Sequence, residues 1–270
     1  MPLVVCPTPI GNLEDVTLRV LRELGEADVV LCEDTRRTRT LLDRHGVPAR
    51  LVSYHRHNEA RRVGEVVPWL EQGDRVALAS DAGLPALNDP GARLIAAAIE
   101  RGLEVIVLPG PSAIETALVA SGLVGECYAF VGYVPRERGA RERLWAETAS
   151  WQGPVVAFES PKRLPGTLAS LAGDFPRRRI AVCRELTKRF EEIVRGTAGE
   201  VADHFREVPK GEVTLVLAPA ESAEDVEGGI ADALEAVGEL TAAGFPRRRA
   251  AELVARLTGV PRNRLYRGSL

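Results

Sequence analysis

Seven short apolar runs constrain this chain more than any other feature, because each stops abruptly in a polar turn, most of them marked by Gly or Pro. They are Leu3–Cys6, Val29–Cys32, Val76–Ala79, Val105–Leu108, Val155–Phe158, Ile180–Cys183 and Val213–Leu217. Continuous apolar runs bounded by turn signals and separated by helical patterns read as strands buried on both faces, hence an α/β fold with a mostly parallel sheet. In open α/β sheets the ligand sits outside the carboxyl ends of the strands. Those ends hold Asp, Glu, Ser, Thr, Arg and bare glycines here, groups suited to a polar small molecule.

Helical patterns fill the gaps. Asp15–Leu24 stops at Gly25, Pro90–Arg101 at Gly102 and Ser112–Ser121 at Gly122, with Pro90 at a helix start. The small-residue helix gives way near residue 122 to an alternating aromatic run, Tyr128–Tyr133, which suggests a differently built sheet in the second half. Three units are expected: residues 1–122, 123–220 and a helical unit over 221–270. The charged stretch Arg136–Arg143 reads as a mobile loop. Val226–Leu240 and Arg247–Leu257 read as helices, followed by a turn at Thr258–Pro261 and a last short helix over Arg262–Tyr266.

With 270 residues and 45% hydrophobic content there is ample material for a core. No apolar run approaches the ~20 residues of a membrane span. The chain enters a strand at once without a basic leader, so a cytoplasmic protein is expected. Cys6, Cys32, Cys127 and Cys183 are far apart and lack metal-ligand spacing, and they read as buried reduced thiols. The net charge of −3 hides an asymmetry. Residues 221–240 carry seven acids and no base, whereas residues 245–268 carry seven arginines against Glu252 alone. A basic tail of this kind can mark a polyanion partner.

The dinucleotide, NTPase and serine-hydrolase motifs are absent, which leaves unusual strand-end turns. Thr8-Pro9-Ile10-Gly11-Asn12 is a stiff turn in which Gly11 permits close approach, so it reads either as a ligand wall or as a plain strand–helix turn. Ser80-Asp81-Ala82-Gly83-Leu84-Pro85 sets a carboxylate beside a glycine, as a ligand contact or an Asx turn. Ser112-Ala113 opens a helix, as an amide-lined ligand site or an N-cap. Glu33-Asp34-Thr35-Arg36-Arg37 gathers two acids and two bases, as a site or an ion-pair cluster. His57 lies in a histidine-containing turn. Lys162-Arg163 and Arg184 with Lys188 place bases at strand ends, where they could hold phosphate. Arg247 and Arg248 open a helix in a weak helix–turn–helix pattern.

These turns, in this order, resemble the tetrapyrrole-methylase superfamily of S-adenosylmethionine-dependent enzymes, and within it the ribosomal RNA small subunit methyltransferase I family. The resemblance is carried by TPIGNLEDVTLRVL (8–21), CEDTRRTRTLL (32–42), SYHRHNE (53–59), SDAGLPALNDPG (80–91), LPGPSAIETALVASGL (108–123), ESPKRL (159–164), RELTKRFEEIVRGT (184–197) and PKGEVTLVL (209–217). The family usually has SDAGTPGISDPG, so Leu84, Ala86 and Asn88 are departures. The resemblance implies a two-domain class III methyltransferase fold with S-adenosylmethionine in the cleft between domains, and a homodimer. It implies 2′-O-methylation of a cytidine in the decoding region of 16S rRNA. Methyl transfer to a ribose hydroxyl needs alignment and removal of a poorly acidic proton. Asp34, Glu33 and Glu185 are the candidates for the base, and the sequence does not choose among them. The cofactor is expected against Ile10, Gly11, Asp81, Ala82, Gly83, Leu84, Ser112 and Ala113, with Phe158 closing the cleft. Arg36, Arg37, His57, Lys162, Arg163, Arg184, Lys188, Arg247 and Arg248 are expected on the RNA. A tetrapyrrole methyltransferase and a non-catalytic rRNA-binding factor are the alternatives.

Overall fold

Alternation of buried strands and amphipathic helices builds the first sheet of a computed structural model that describes residues 2–149, 151–219, 223–258, 265, 266 and 268. Strands β1 (Leu3–Cys6), β2 (Val29–Cys32), β3 (Leu51–Ser53), β4 (Val76–Ala79) and β5 (Val105–Val107) are all parallel, in the order β3-β2-β4-β1-β5. Helices α1 (Leu18–Glu26), α2 (Thr35–Arg44), α3 (Glu59–Gln72) and α4 (Ala92–Glu100) cover its two faces. Leu3, Leu31 and Leu78 pack with Val66, Leu70 and Leu94 on one face. Val4, Val30 and Ala77 pack with Val20, Leu24 and Leu42 on the other. In β1, β2 and β4 adjacent residues thus point to opposite cores, and this is why these runs are apolar throughout. β5, at the sheet edge, is apolar yet leaves Val107 54% exposed instead of buried on both faces.

After helix α5 (Ala113–Ser121) comes a second sheet of β6 (Ala129–Tyr133), β7 (Val155–Glu159), β8 (Arg179–Arg184), β9 (Glu192–Thr197) and β10 (Val213–Leu217), in the order β6-β7-β10-β8-β9. Only β6 and β7 are parallel. β10 runs antiparallel to both β7 and β8, and β8 antiparallel to β9. The parallel reading therefore holds for the first sheet and fails for the second. Helices α6 (Arg138–Ala149), α7 (Leu164–Asp174) and α8 (Ala198–His204) supply one core, and α5 with Ile10 supplies the other. Double-sided burial makes β7, β8 and β10 continuously apolar whatever their direction.

Two further expectations are corrected. Arg138–Ala149 is a helix that buries Trp145 and Thr148, so most of the supposed 136–143 loop belongs to α6. Cys6, Cys32 and Cys183 are buried, but Cys127 is exposed in the connection before β6, where no sheet covers it.

The chain divides into two compact units, Met1–Ala218, which holds both sheets, and Pro219–Leu270. The second unit is a helical pair, α9 (Ala223–Ala242) and α10 (Arg247–Thr258), whose core includes Ala233, Val237, Ala250, Ala251 and Val254. Most of the expected last helix, 262–266, lies outside the described residues. Among the described residues no helix is long and apolar enough to cross a membrane.

Candidate active site

The turns after β1, β2, β4 and β5 meet the ends of β6 and β7 and the start of β10 around a cavity of about 460 Å³. Eight of the nine residues expected against the cofactor line it: Ile10, Asp81, Ala82, Gly83, Leu84, Ser112, Ala113 and Phe158. The ninth, Gly11, lines a neighbouring cavity of about 310 Å³ that shares Ile10, Arg37, Asp81, Ala82 and Glu212 with the first. Both volumes lie within or at the lower edge of the usual range for small-molecule sites, roughly 300–1,000 Å³.

Hydrogen bonds fix the turns. Thr8 and Gly83 exchange two backbone hydrogen bonds of 2.9 Å, which tie the β1 and β4 turns together. Thr8 Oγ1 donates to the Ser80 carbonyl (3.0 Å) and Ser80 Oγ to the Gly83 carbonyl (2.7 Å). Gly83 sits at φ 76°, which a glycine adopts without strain. Asp81 Oδ1 accepts from the Asp34 amide at 2.9 Å, so this carboxylate links two strand ends instead of capping its own turn. Ser112 occupies the N-cap position of α5, yet its hydroxyl donates to Glu115 and caps no amide. Gly11 also permits a close approach within the chain itself. A Cβ there would lie 2.8 Å from the Leu186 carbonyl oxygen, so its bareness admits the β8–β9 turn of this same chain.

Phe158 and Tyr133 form the aromatic wall, with ring centroids 5.5 Å apart. The carboxylates of Glu33, Asp81 and Asp89 line the same cavity. Burial raises the Asp89 pKa to about 6, and the negative charges of Glu33 and Asp81 add to the effect against Arg56. Burial and Asp81 also raise Glu33. Near Glu33, His55 Nδ1 is buried without a hydrogen-bond partner among the described residues.

The three expected bases are not equivalent. Glu33 lines the larger cavity. Asp34 lines neither cavity. Its carboxylate caps α2 and grips the Arg36 guanidinium (2.7 and 3.0 Å), and these hydrogen bonds hold it far below the usual carboxylate range. Glu185 also lines neither, and its bond to Lys188 Nζ (2.8 Å) lowers its pKa. Asp89, Tyr133 and Glu212 are cavity residues that the sequence did not single out, although each sits beside a motif or within one.

Among the expected RNA-binding residues, Arg37 lines both cavities, 3.5 Å from Asp81, and Lys188 lines the smaller. His57, Lys162 and Arg248 are exposed, and Arg247 is half-buried at the start of α10. Arg36 is occupied by Asp34. Arg163 pairs with buried Glu159 (2.5 Å), and Arg184 with Glu192 (2.8 Å) and the Lys210 carbonyl (3.0 Å), so both hold protein groups.

Residues 2–202 match the model of the Tetrapyrrole (Corrin/Porphyrin) Methylases. Residues 228–268 match that of the RsmI C-terminal HTH domain. The chain is 40% identical over 267 residues to ribosomal RNA small subunit methyltransferase I of Neisseria meningitidis serogroup A, covering 98% of this chain and 91% of that one. It belongs to the ribosomal RNA small subunit methyltransferase I family. The family's protein from Mesorhizobium japonicum is 41% identical over 271 residues, covering 98% and 90% of the two chains. A solved structure of uroporphyrin-III C-methyltransferase from Thermus thermophilus, complexed with S-adenosylhomocysteine, has a TM-score of 0.56 at 21% identity, over 80% of this chain and 97% of that one. That likeness establishes the shared tetrapyrrole-methylase fold. Together with the family membership, it sets the cavities at the strand ends in the context of a methyltransferase.

Proposed function

We propose that this protein transfers a methyl group from S-adenosylmethionine to the ribose 2′-oxygen of a cytidine in the decoding region of 16S rRNA, in the cytoplasm and as a homodimer. The observation that carries the reading is the larger cavity. It combines an aromatic wall, a bare-backbone turn at Gly83 and five carboxylates, those of Glu33, Asp81, Asp89, Glu159 and Glu212. This donor set fits the cofactor. Carboxylates attract a ligand bearing a sulfonium and an ammonium, and the apolar wall suits a purine.

When bound, S-adenosylmethionine supplies an electrophilic methyl group. The remaining chemistry belongs to this chain. Ile10, Ala82 and Phe158 exclude water and fix position, and alignment can supply up to ~7–11 kcal/mol of barrier reduction. Asp89 is ionised at neutral pH, and its carboxylate oxygen takes the proton that the 2′-hydroxyl releases. A base of this kind is worth typically ~10²–10⁴-fold. Burial, aided by the negative charge of Glu33, keeps the Asp89 pKa high, nearer the operating pH, where a general base is most effective. Arg37 lines both cavities with an exposed side chain, as a partner for RNA phosphate.

The test is incubation with methyl-labelled S-adenosylmethionine and either purified 30S subunits or free 16S rRNA. Label is expected in 16S rRNA. Cofactor binding by calorimetry with no label transfer to either RNA would overturn the reading.

A further inference from the structure

We propose that Phe190 and Arg189, in the turn between β8 and β9, form a stacking platform for one nucleobase of the RNA beside the target nucleotide. The inference rests on the RNA-methyltransferase reading above. Phe190 is 68% exposed. The Arg189 guanidinium lies 5.5 Å from its ring centroid, within cation–π range, and among the described residues no carboxylate pairs with Arg189.

A lone exposed apolar side chain is ordinary. The construction of the turn beneath this one is not. Glu185 (φ 53°) and Thr187 (φ 64°) both adopt left-handed backbone without being glycine. Such strain persists only where the surroundings over-determine it, and it concentrates at functional sites. Here the surroundings do so. Lys188 Nζ donates to Glu185 (2.8 Å) and Glu212 (2.9 Å), and the Thr187 amide donates to Glu191 Oε2 (2.6 Å). The Asn12 amide donates to Thr187 Oγ1 (3.0 Å), and Leu186 is 7% exposed in a core with Ile10 and Ile114. The turn is thus pinned to both sheets while its tip turns a ring and a cation outward.

Its place in the molecule selects the partner. Lys188, two residues from Phe190, lines the smaller cavity together with Arg37 and Asp81. A strand of RNA that delivers a nucleotide to these cavities therefore has a cation and an aromatic face beside it. Single-stranded bases are held in this way, by stacking on aromatic or guanidinium planes. A pre-ordered ring also loses little conformational freedom on binding.

The test uses the full chain as wild type, Phe190→Ala, Phe190→Trp and Arg189→Ala, with 16S rRNA titrated at several salt concentrations. Phe190→Ala should weaken RNA binding roughly 5- to 150-fold, with an unchanged salt slope, since stacking releases no counterions. Arg189→Ala should reduce that slope by about 1. Phe190→Trp should keep the affinity and show RNA-dependent quenching beyond that of the three native tryptophans. Cofactor affinity and oligomeric mass should not change in any variant. RNA affinity unchanged in Phe190→Ala would overturn the platform alone. Loss of oligomeric mass would overturn it too, by making Phe190 a contact between copies. If the wild-type protein binds no RNA, the functional reading falls and the platform with it.

Discussion

Ala86 occupies the left-handed region at φ 72°, at a position where the family pattern usually has glycine. An L-residue there costs roughly 1–2 kcal/mol, and glycine returns about 0.4–1 kcal/mol of that through its freer unfolded chain. Ala86→Gly should therefore stabilise the protein by up to about 1 kcal/mol, read as a rise in Tm of about 2–4 °C. Asp89 carries the other residue-scale prediction. Asp89→Asn should reduce turnover about 10²–10⁴-fold while cofactor binding survives. In the wild type the rate should rise with pH through about 6 as Asp89 ionises. Glu33→Gln should shift that limb to lower pH by removing a neighbouring charge. The linkage sign is fixed by the raised pKa. The fold favours protonated Asp89, so its contribution to stability is lost as pH rises from the ordinary value near 4 through about 6. Asp89→Asn should melt above wild type at pH 7 and level with it by about pH 4. Asp89 was hard to see in the sequence because Asp-Pro-Gly before a helix is an ordinary turn. Only the meeting of the β2 and β4 ends brings Glu33 and Asp81 close enough to distinguish it.

Between elements, the close approach of the β1 and β8–β9 turns is the most exacting contact. A Cβ on Gly11 would stand 2.7 Å from Thr187 Oγ1 and 2.8 Å from the Leu186 carbonyl, and backbone cannot swing aside as a side chain can. Gly11→Ala should cost about 1–3 kcal/mol as overpacking and lower catalytic activity by displacing Lys188, a loss checked by thermal melting and label transfer. Elements buried on both faces were legible because burial writes itself into four or five consecutive apolar residues. Strand direction was not, since β7 and β10 read alike whether parallel or antiparallel. β3 and β9 are edge strands of half-buried residues and leave no apolar run. α6 was misread because its charges and Gly139 outweigh the only two residues it buries, Trp145 and Thr148. In the site, the β1, β4 and β5 turns were legible from the strand-end rule. The opposite wall at Tyr133, Glu159 and Glu212 depends on how the second sheet folds back, which no local pattern encodes.

At the scale of the whole molecule, charge is divided between segments. The described cavities are lined by carboxylates, which suit the cationic cofactor proposed for them, and the arginines of residues 245–268 suit a polyanion. Residues 219–270 form a compact unit with its own core. Their removal should leave S-adenosylmethionine affinity constant, weaken RNA binding and flatten its salt dependence. Equal loss of both affinities would withdraw the recognition role from this unit. The central claim is that the methyl group goes to a ribose oxygen of a decoding-region cytidine. A ribose 2′-O-methyl group blocks alkaline cleavage after its nucleotide, so the alkaline ladder of 16S rRNA from treated 30S subunits tests it most directly. One missing rung after a cytidine in the decoding region is the predicted result; an unbroken ladder carrying label on a base would contradict it.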